Sequence, residues 1–263
     1  MARDLKGAAG VKRDLFGRQF RMRGATCCHP QARFLPLVTA VVTGLLVILP
    51  AQNAAAQGQC RADPVPSVDW SGCTKRILML GGSNLDGANL SDADLSGTDL
   101  TGSSLKGANV TKANLVRTSL AQSDITGADF DKAEGYRSDF PAVKAMGASF
   151  VAAELQRSDF SGAELNDADF TKAELGRAVF SGATLANTNF AMANLSRALF
   201  NDASFAGVVD FTDAFMFLTR IEGVDLTQAK GLKQDQIALS CGDDTTKLPQ
   251  GLTAPSSWPC PDE

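Results

Sequence analysis

The chain has 263 residues, 44% apolar and 21% charged, with a formal net charge of -4, one His and six Cys. That length sets one or two domains with enough chain to bury a core. The charge is the sum of two unlike parts: residues 1–56 hold eight Lys/Arg and two Asp/Glu, a net +6, whereas residues 57–263 hold 17 and 27, a net -10. His29 lies in the first part beside Cys27 and Cys28. Loss of that part would leave no imidazole for Ser-His-Asp or Cys-His catalysis, or for a His-ligated metal.

Residues 1–33 are basic, and Phe34 to Leu49 form a nearly unbroken apolar run, FLPLVTAVVTGLLVIL, closed by Pro50. Ala54 and Ala56 then supply small residues at the spacing of a cleavage site. The pattern predicts a Sec-type signal peptide over 1–56, cleaved after Ala56, and a periplasmic or secreted mature chain. A run of sixteen residues is short for a span of about 20, so membrane contact is expected only through this leader. Translation from Met22 would give a leader of ordinary length. Cys60 lacks the apolar context of a lipoprotein site.

From Leu85 to Phe205 a large apolar residue, here called the centre, stands at every fifth position. Of these 25 centres, 23 are Leu, Phe, Ile or Val, and the exceptions are Gly135 and Ala145. Two residues before each centre sits Ala, Ser or Thr, apart from Val143; the residue just before it is usually polar. Neither a helix nor a strand has an apolar period of five. The backbone must turn a corner every five residues. Ala88-Asn89-Leu90, Ala93-Asp94-Leu95 and Ala128-Asp129-Phe130 resemble the A-(D/N)-L-x-x consensus of the pentapeptide-repeat family. The resemblance implies an all-β fold: a right-handed, four-sided β-helix, a solenoid with four pentapeptides per coil and the centres inside.

Two columns independently indicate a coil of twenty residues. Phe130, Phe140, Phe150, Phe160, Phe170, Phe180, Phe190 and Phe200 recur every ten, and Arg117, Arg137, Arg157, Arg177 and Arg197 every twenty. An extra residue near Val208-Val209 shifts later centres to Phe211, Met216, Ile221 and Leu226. Gly135, Pro141, Val143 and Ala145 fall in one coil, which predicts a bulge or kink over 133–147, with a ligand cavity as the alternative.

The expected layout is a leader over 1–56, an N-terminal cap over 57–82, repeats over 83–230, and a C-terminal cap helix and tail over 231–263. A stack of coils needs caps because its ends expose unpaired backbone. Trp70 and the run Ile77-Leu78-Met79-Leu80 fit the first cap; Leu232, Gln236, Ile237 and Leu239 have helical spacing in the second. Cys60, Cys73, Cys241 and Cys260 allow three disulfide pairings. Cys60–Cys73 with Cys241–Cys260 is favoured, because the repeats separate the two pairs.

The arginine column admits two readings. Glu134, Glu154, Glu174, Asp139 and Asp159 are close enough in sequence to form a compensating ion-pair ladder. Alternatively the column is an anion-binding stripe, seconded by Lys112, Lys132 and Lys172. Val179, Leu199, Phe215, Phe217 and Leu218 form a candidate contact patch near one end, covered by the chain's own tail or by a partner, including a second copy. No catalytic constellation, cofactor or metal motif is apparent. The expected function is a non-catalytic exported scaffold that presents a patterned charged surface to a protein or anionic polymer. The resemblance offers an alternative: the family's quinolone-resistance members are thought to mimic DNA and bind topoisomerase. Export and the arginine column argue against that role, and nucleic acid is not expected as a partner.

Overall fold

The computed structural model describes residues 59–261. The expected leader and its cleavage site, with His29, Cys27 and Cys28, lie outside the described residues. From Asp69 onward the chain pairs with itself at an interval of twenty, as in Asn89 with Asn109 and Asn109 with Asp129, always in parallel. Each five-residue unit repeats one set of hydrogen bonds. The small residue's amide closes a turn onto the preceding centre, as Ala88 N donates to Leu85 O at 3.0 Å. The centre donates to the next coil and the residue before that coil's centre donates back to the small residue, Leu90 N to Asn109 O at 2.7 Å and Asn109 N to Ala88 O at 2.9 Å.

The expectation of an all-β, four-sided β-helix is corrected by this pairing. Among the described residues there is no strand and no sheet, only isolated one-residue bridges separated by turns. The cause is local. Every fifth residue from Ser67 to Gly207 has positive φ, between 53° and 73°. A left-handed residue two places after each centre bends the chain away before a second ladder pair can form. The polar residue before the centre belongs to the same device: its side-chain oxygen accepts the amide two residues on, as Asp94 Oδ1 does from Ser96 N at 3.1 Å. Asp and Asn suit this local bond.

The interior is one continuous core. Phe130, Phe150, Phe170, Phe190 and Phe211 stack in one file with ring centroids 4.7–5.5 Å apart. Phe140, Phe160, Phe180 and Phe200 stack in a second file at 4.6–5.2 Å. The files meet edge to face, as Phe160 meets Phe170 at 5.7 Å and 85°, the geometry aromatic quadrupoles favour. Buried hydroxyls at small positions bond carbonyls of the coil before, as Thr118 Oγ1 does to Leu95 O at 2.8 Å.

No break interrupts 133–147: Glu134, Asp139 and Lys144 all keep the twenty-residue pairing. A Cβ built on Gly135 would lie 2.7 Å from Leu155 Cδ2 and 2.6 Å from Ser138 Oγ. The neighbours have already filled the space that the missing side chain leaves. The inserted residue does act as expected, lengthening the interval to 21 at Asn189–Asp210.

The pairing also reaches beyond 83–230. Asp69, Thr74 and Met79 bridge the next coil, so Trp70, Lys75 and Leu80 occupy centre positions inside the expected N-terminal cap. Lys75 Nζ lies 3.6 Å over the Trp70 ring, and burial lowers its pKa against the opposing Asp63 charge. Ile77 and Met79 are 76% and 82% exposed. At the other end α1, Gln234–Leu239, covers the stack with Gln236 and Ile237 buried. Gln236 Nε2 donates to the carbonyls of Phe211 and Ala214 at 3.0 and 2.8 Å, the second being the acceptor that a further coil would otherwise engage. Disulfides join Cys60 to Cys73 and Cys241 to Cys260.

Two substitutions test these devices by urea denaturation. Gly162 has φ +65° and nothing within 4 Å of a Cβ, so Gly162→Ala isolates the left-handed penalty and should destabilise by about 1 kcal/mol. Gly135→Leu restores the consensus centre, yet overpacking against Leu155 should make it destabilising by about 1–3 kcal/mol.

Candidate functional site

Arg117, Arg137, Arg157, Arg177 and Arg197 all occupy left-handed corners, with φ between 56° and 61°. The twenty-residue interval sets them one above another. Lys112, Lys132 and Lys172 hold the adjacent corner, with φ between 56° and 60°. Between the two corners runs the bridged file Asn114, Glu134, Glu154, Glu174 and Asn194. The stacked segments 112–117, 132–137, 152–157, 172–177 and 192–197 therefore form one face with eight Lys/Arg and three Glu, net +5. Residues 59–261 hold 17 Lys/Arg and 25 Asp/Glu, so the remainder, with nine and 22, is -13.

The expected ion-pair ladder is not formed. Among the described residues, no ion pair within 4.0 Å is recorded for Arg117, Arg137, Arg157 or Arg177; the pairs that occur lie elsewhere, such as Lys106–Asp124 and Lys230–Asp210. The acidic residues instead follow one another from coil to coil through main-chain bridges, Glu134 to Glu154, Glu154 to Glu174, and Asp139 to Asp159, and Glu174 Oε2 accepts from Asn194 Nδ2 at 2.8 Å. Sequence proximity misled here because the corner turns an arginine away from the file of bridging residues beside it. Arg137 and Arg157 lie over the Tyr136 ring instead, with guanidinium carbons 5.3 and 6.0 Å from its centroid. Tyr136 is 38% exposed. Partial desolvation and the Asp159 charge raise the pKa of Asp139.

The expected contact patch divides in two. Leu199 and Leu218, with Arg197 and Arg220, line a cavity of about 460 Å³ bordered by Cys241, Cys260 and Pro261 of the tail. Val179 is half-buried in the file that leads to Leu199. Phe215 and Phe217 stay 51% and 42% exposed, stacked on each other at 6.3 Å. Phe215 continues the Glu file, since it bridges Asn194. Phe217 follows Val116, Tyr136, Gln156, Gly176 and Ser196, the residues that precede the arginines. The aromatic pair thus ends the basic face, a continuity visible only once the 21-residue interval is known. The tail is held by the Cys241–Cys260 disulfide and by Trp258, whose Nε1 donates to Ser240 O at 2.7 Å.

The family model of pentapeptide repeats matches with eight copies over 80–107, 103–134, 113–150, 148–185 and 178–216, just over half of the chain. The chain belongs to the pentapeptide-repeat family. With it the chain joins a class of structural, non-catalytic proteins. Among solved structures it is similar to HetL, a pentapeptide-repeat protein involved in heterocyst differentiation regulation from Nostoc sp. strain PCC 7120, at 20% identity over 77% of this chain and 91% of that one, TM-score 0.28. It is similar to full-length QnrB1, a plasmid-mediated fluoroquinolone resistance protein, at 19% identity over 71% and 91%, TM-score 0.32. A pentapeptide-repeat protein of the Arabidopsis thaliana thylakoid lumen shares 24% identity over 54% and 79%, TM-score 0.19. No curated protein matches the chain.

The pentapeptide repeat constrains the centre, the small residue and the corner, and leaves outward side chains open. The arginine column is therefore additional to the fold. Two variants probe its surroundings. The raised pKa of Asp139 means the folded state holds its proton more tightly than the unfolded chain does. Its charge therefore destabilises the fold above that pKa, and the effect vanishes below the ordinary Asp value. Asp139→Asn should raise the melting temperature at pH 7 and lose that advantage near pH 3, where both forms are neutral. A Cβ at Gly242 would lie 2.4 Å from the Trp258 ring, so Gly242→Ala should displace Trp258, detected as a red-shifted tryptophan emission.

Proposed function

We propose that the protein is an exported, non-catalytic scaffold whose basic face binds an anionic partner. The observation that carries this reading is the concentration of +5 on one face while the remaining described residues sum to -13. Arg117, Arg137, Arg157 and Arg177 add to it, having no recorded counter-ion within 4.0 Å among the described residues. A guanidinium fork suits carboxylate and phosphate groups, and a column of them engages several at once. Export is supported by the basic-apolar-small order of 1–56 and by the two disulfides, which persist in oxidising compartments. An acidic face is available to mimic DNA only where the arginine column is absent, so DNA mimicry is the weaker reading.

Retention on sulfonate beads tests the face. The protein should be retained despite its net negative charge and released by salt, because screening at 0.15 M already acts over about 8 Å. Arg137→Gln/Arg157→Gln/Arg177→Gln should abolish retention, while Lys106→Gln/Lys144→Gln, on other faces, should leave it nearly intact. Equal loss in both variants would remove the basis for a specific face. Fractionation of a tagged chain checks export: a processed chain outside the cytoplasm is expected, and an uncleaved cytoplasmic one would overturn it.

A further inference from the structure

We infer that the anionic partner is an acidic polysaccharide, a chain of sugar rings bearing carboxylates, lying along the basic face. This rests on the face being an anion-binding surface and adds the chemistry of what it holds. Three kinds of side chain run side by side there. Arg137, Arg157 and Arg177 form a cationic file at one corner. Glu154 and Glu174, neighbours through a main-chain bridge, form a file of hydrogen-bond acceptors next to them; Glu174 already accepts from Asn194 Nδ2 on Oε2 and keeps Oε1 for a ligand. Tyr136 and Phe217 place exposed rings in a single file, four coils apart, with 38% and 42% of their surfaces open.

A bare polyanion matches only the first of these. Phosphate or carboxylate polymers without hydroxyl donors meet the Glu file as repulsion and gain nothing from the aromatic rings. A uronic-acid polymer matches all three: its carboxylates meet the guanidinium groups, its hydroxyls donate to Glu154 and Glu174, and its apolar C–H surfaces pack on Phe217 and on the part of Tyr136 that Arg137 and Arg157 leave open. Spacing argues against two of the rival polyanions. Successive coils are 4.6–5.2 Å apart, taken from the second phenylalanine file. Same-face carboxylates of an extended acidic peptide repeat at about 6.6–6.8 Å, and the phosphates of one B-DNA strand at about 3.4 Å. Neither keeps step with the arginines over five coils.

Affinity electrophoresis of the full chain through gels containing polygalacturonate, polyphosphate or polyglutamate at matched charge decides the matter. The protein should be retarded most strongly by polygalacturonate, and Arg137→Gln/Arg157→Gln/Arg177→Gln should weaken that by roughly tenfold or more, the loss of at least one charge-assisted bond. The decisive variant is Glu154→Ala/Glu174→Ala. Simple charge attraction requires it to bind every polyanion more tightly. The inference requires it to bind polygalacturonate more weakly and polyphosphate more tightly. Tyr136→Ala should also weaken polygalacturonate binding, and Tyr136→Phe, which keeps the ring, should restore it; unchanged melting temperatures separate these effects from unfolding. Tighter binding of polygalacturonate by the Glu variant, or equal retardation by polyphosphate, overturns the polysaccharide while leaving the anion-binding face in place. Retention on sulfonate beads with no retardation by any of the three polymers does the same. Absence of binding to the beads and to all three polymers overturns both.

Discussion

The structure depends on one backbone event, the entry of a residue into the left-handed region at every fifth position. An L-residue pays about 1–2 kcal/mol to sit there, so the chain adopts it only because each turn places a centre inward and hands its amides and carbonyls to the coils on either side. The same event limits what the coils can share. One extended residue per unit can bridge, and the next two must turn, so the stack is held by isolated bridges. Cooperativity comes from repetition: each bridge is weak alone, and each coil's pairing is completed by its neighbours.

The interior shows how little freedom remains once that backbone is set. The two phenylalanine files meet edge to face along the stack, and a change of size at one centre is absorbed by side chains in the adjoining coil. Gly135 is the clearest case. Its missing side chain produces neither a kink nor a cavity, because Leu155 and Ser138 close the gap within ordinary packing adjustments. The ends obey the same rule of satisfied backbone, with Gln236 offering a side-chain amide where a further coil would have offered a main-chain donor.

Much of this was legible in the residues themselves. The five-residue period, the twenty-residue interval and the inserted residue before Asp210 can all be read from Leu, Phe and Arg positions. The extent of pairing at the N-terminal end was not, because Lys75 stands where the pattern demands a large apolar centre and Trp70 had no visible partner; only the cation over the ring reconciles them. The strands expected from stacked parallel pairing were misjudged for a different reason: a period of five reveals that the chain turns, but not that the left-handed residue leaves just one residue per unit able to pair. The arginines' partners were also misassigned. Nearness along the chain does not predict an ion pair when a corner lies between the two side chains.

The backbone strain at the corners bears on what the basic face is for. Glycine would relieve it, and the corner through Gly87, Gly107, Gly127 and Gly147 uses glycine for that purpose. Strain alone does not mark a function, since Ala142 and Ala152 occupy corners as well. The arginine corner differs because the same long charged side chain recurs at five successive coils, where like charges one coil apart repel. No recorded ion pair among the described residues relieves that repulsion at Arg117, Arg137, Arg157 or Arg177. The column costs backbone strain and charge repulsion together and the fold does not require it; on the proposed reading, a ligand that neutralises it offsets both. The aromatic and carboxylate files beside the column would then favour a ligand offering hydroxyl groups and ring faces as well as negative charge.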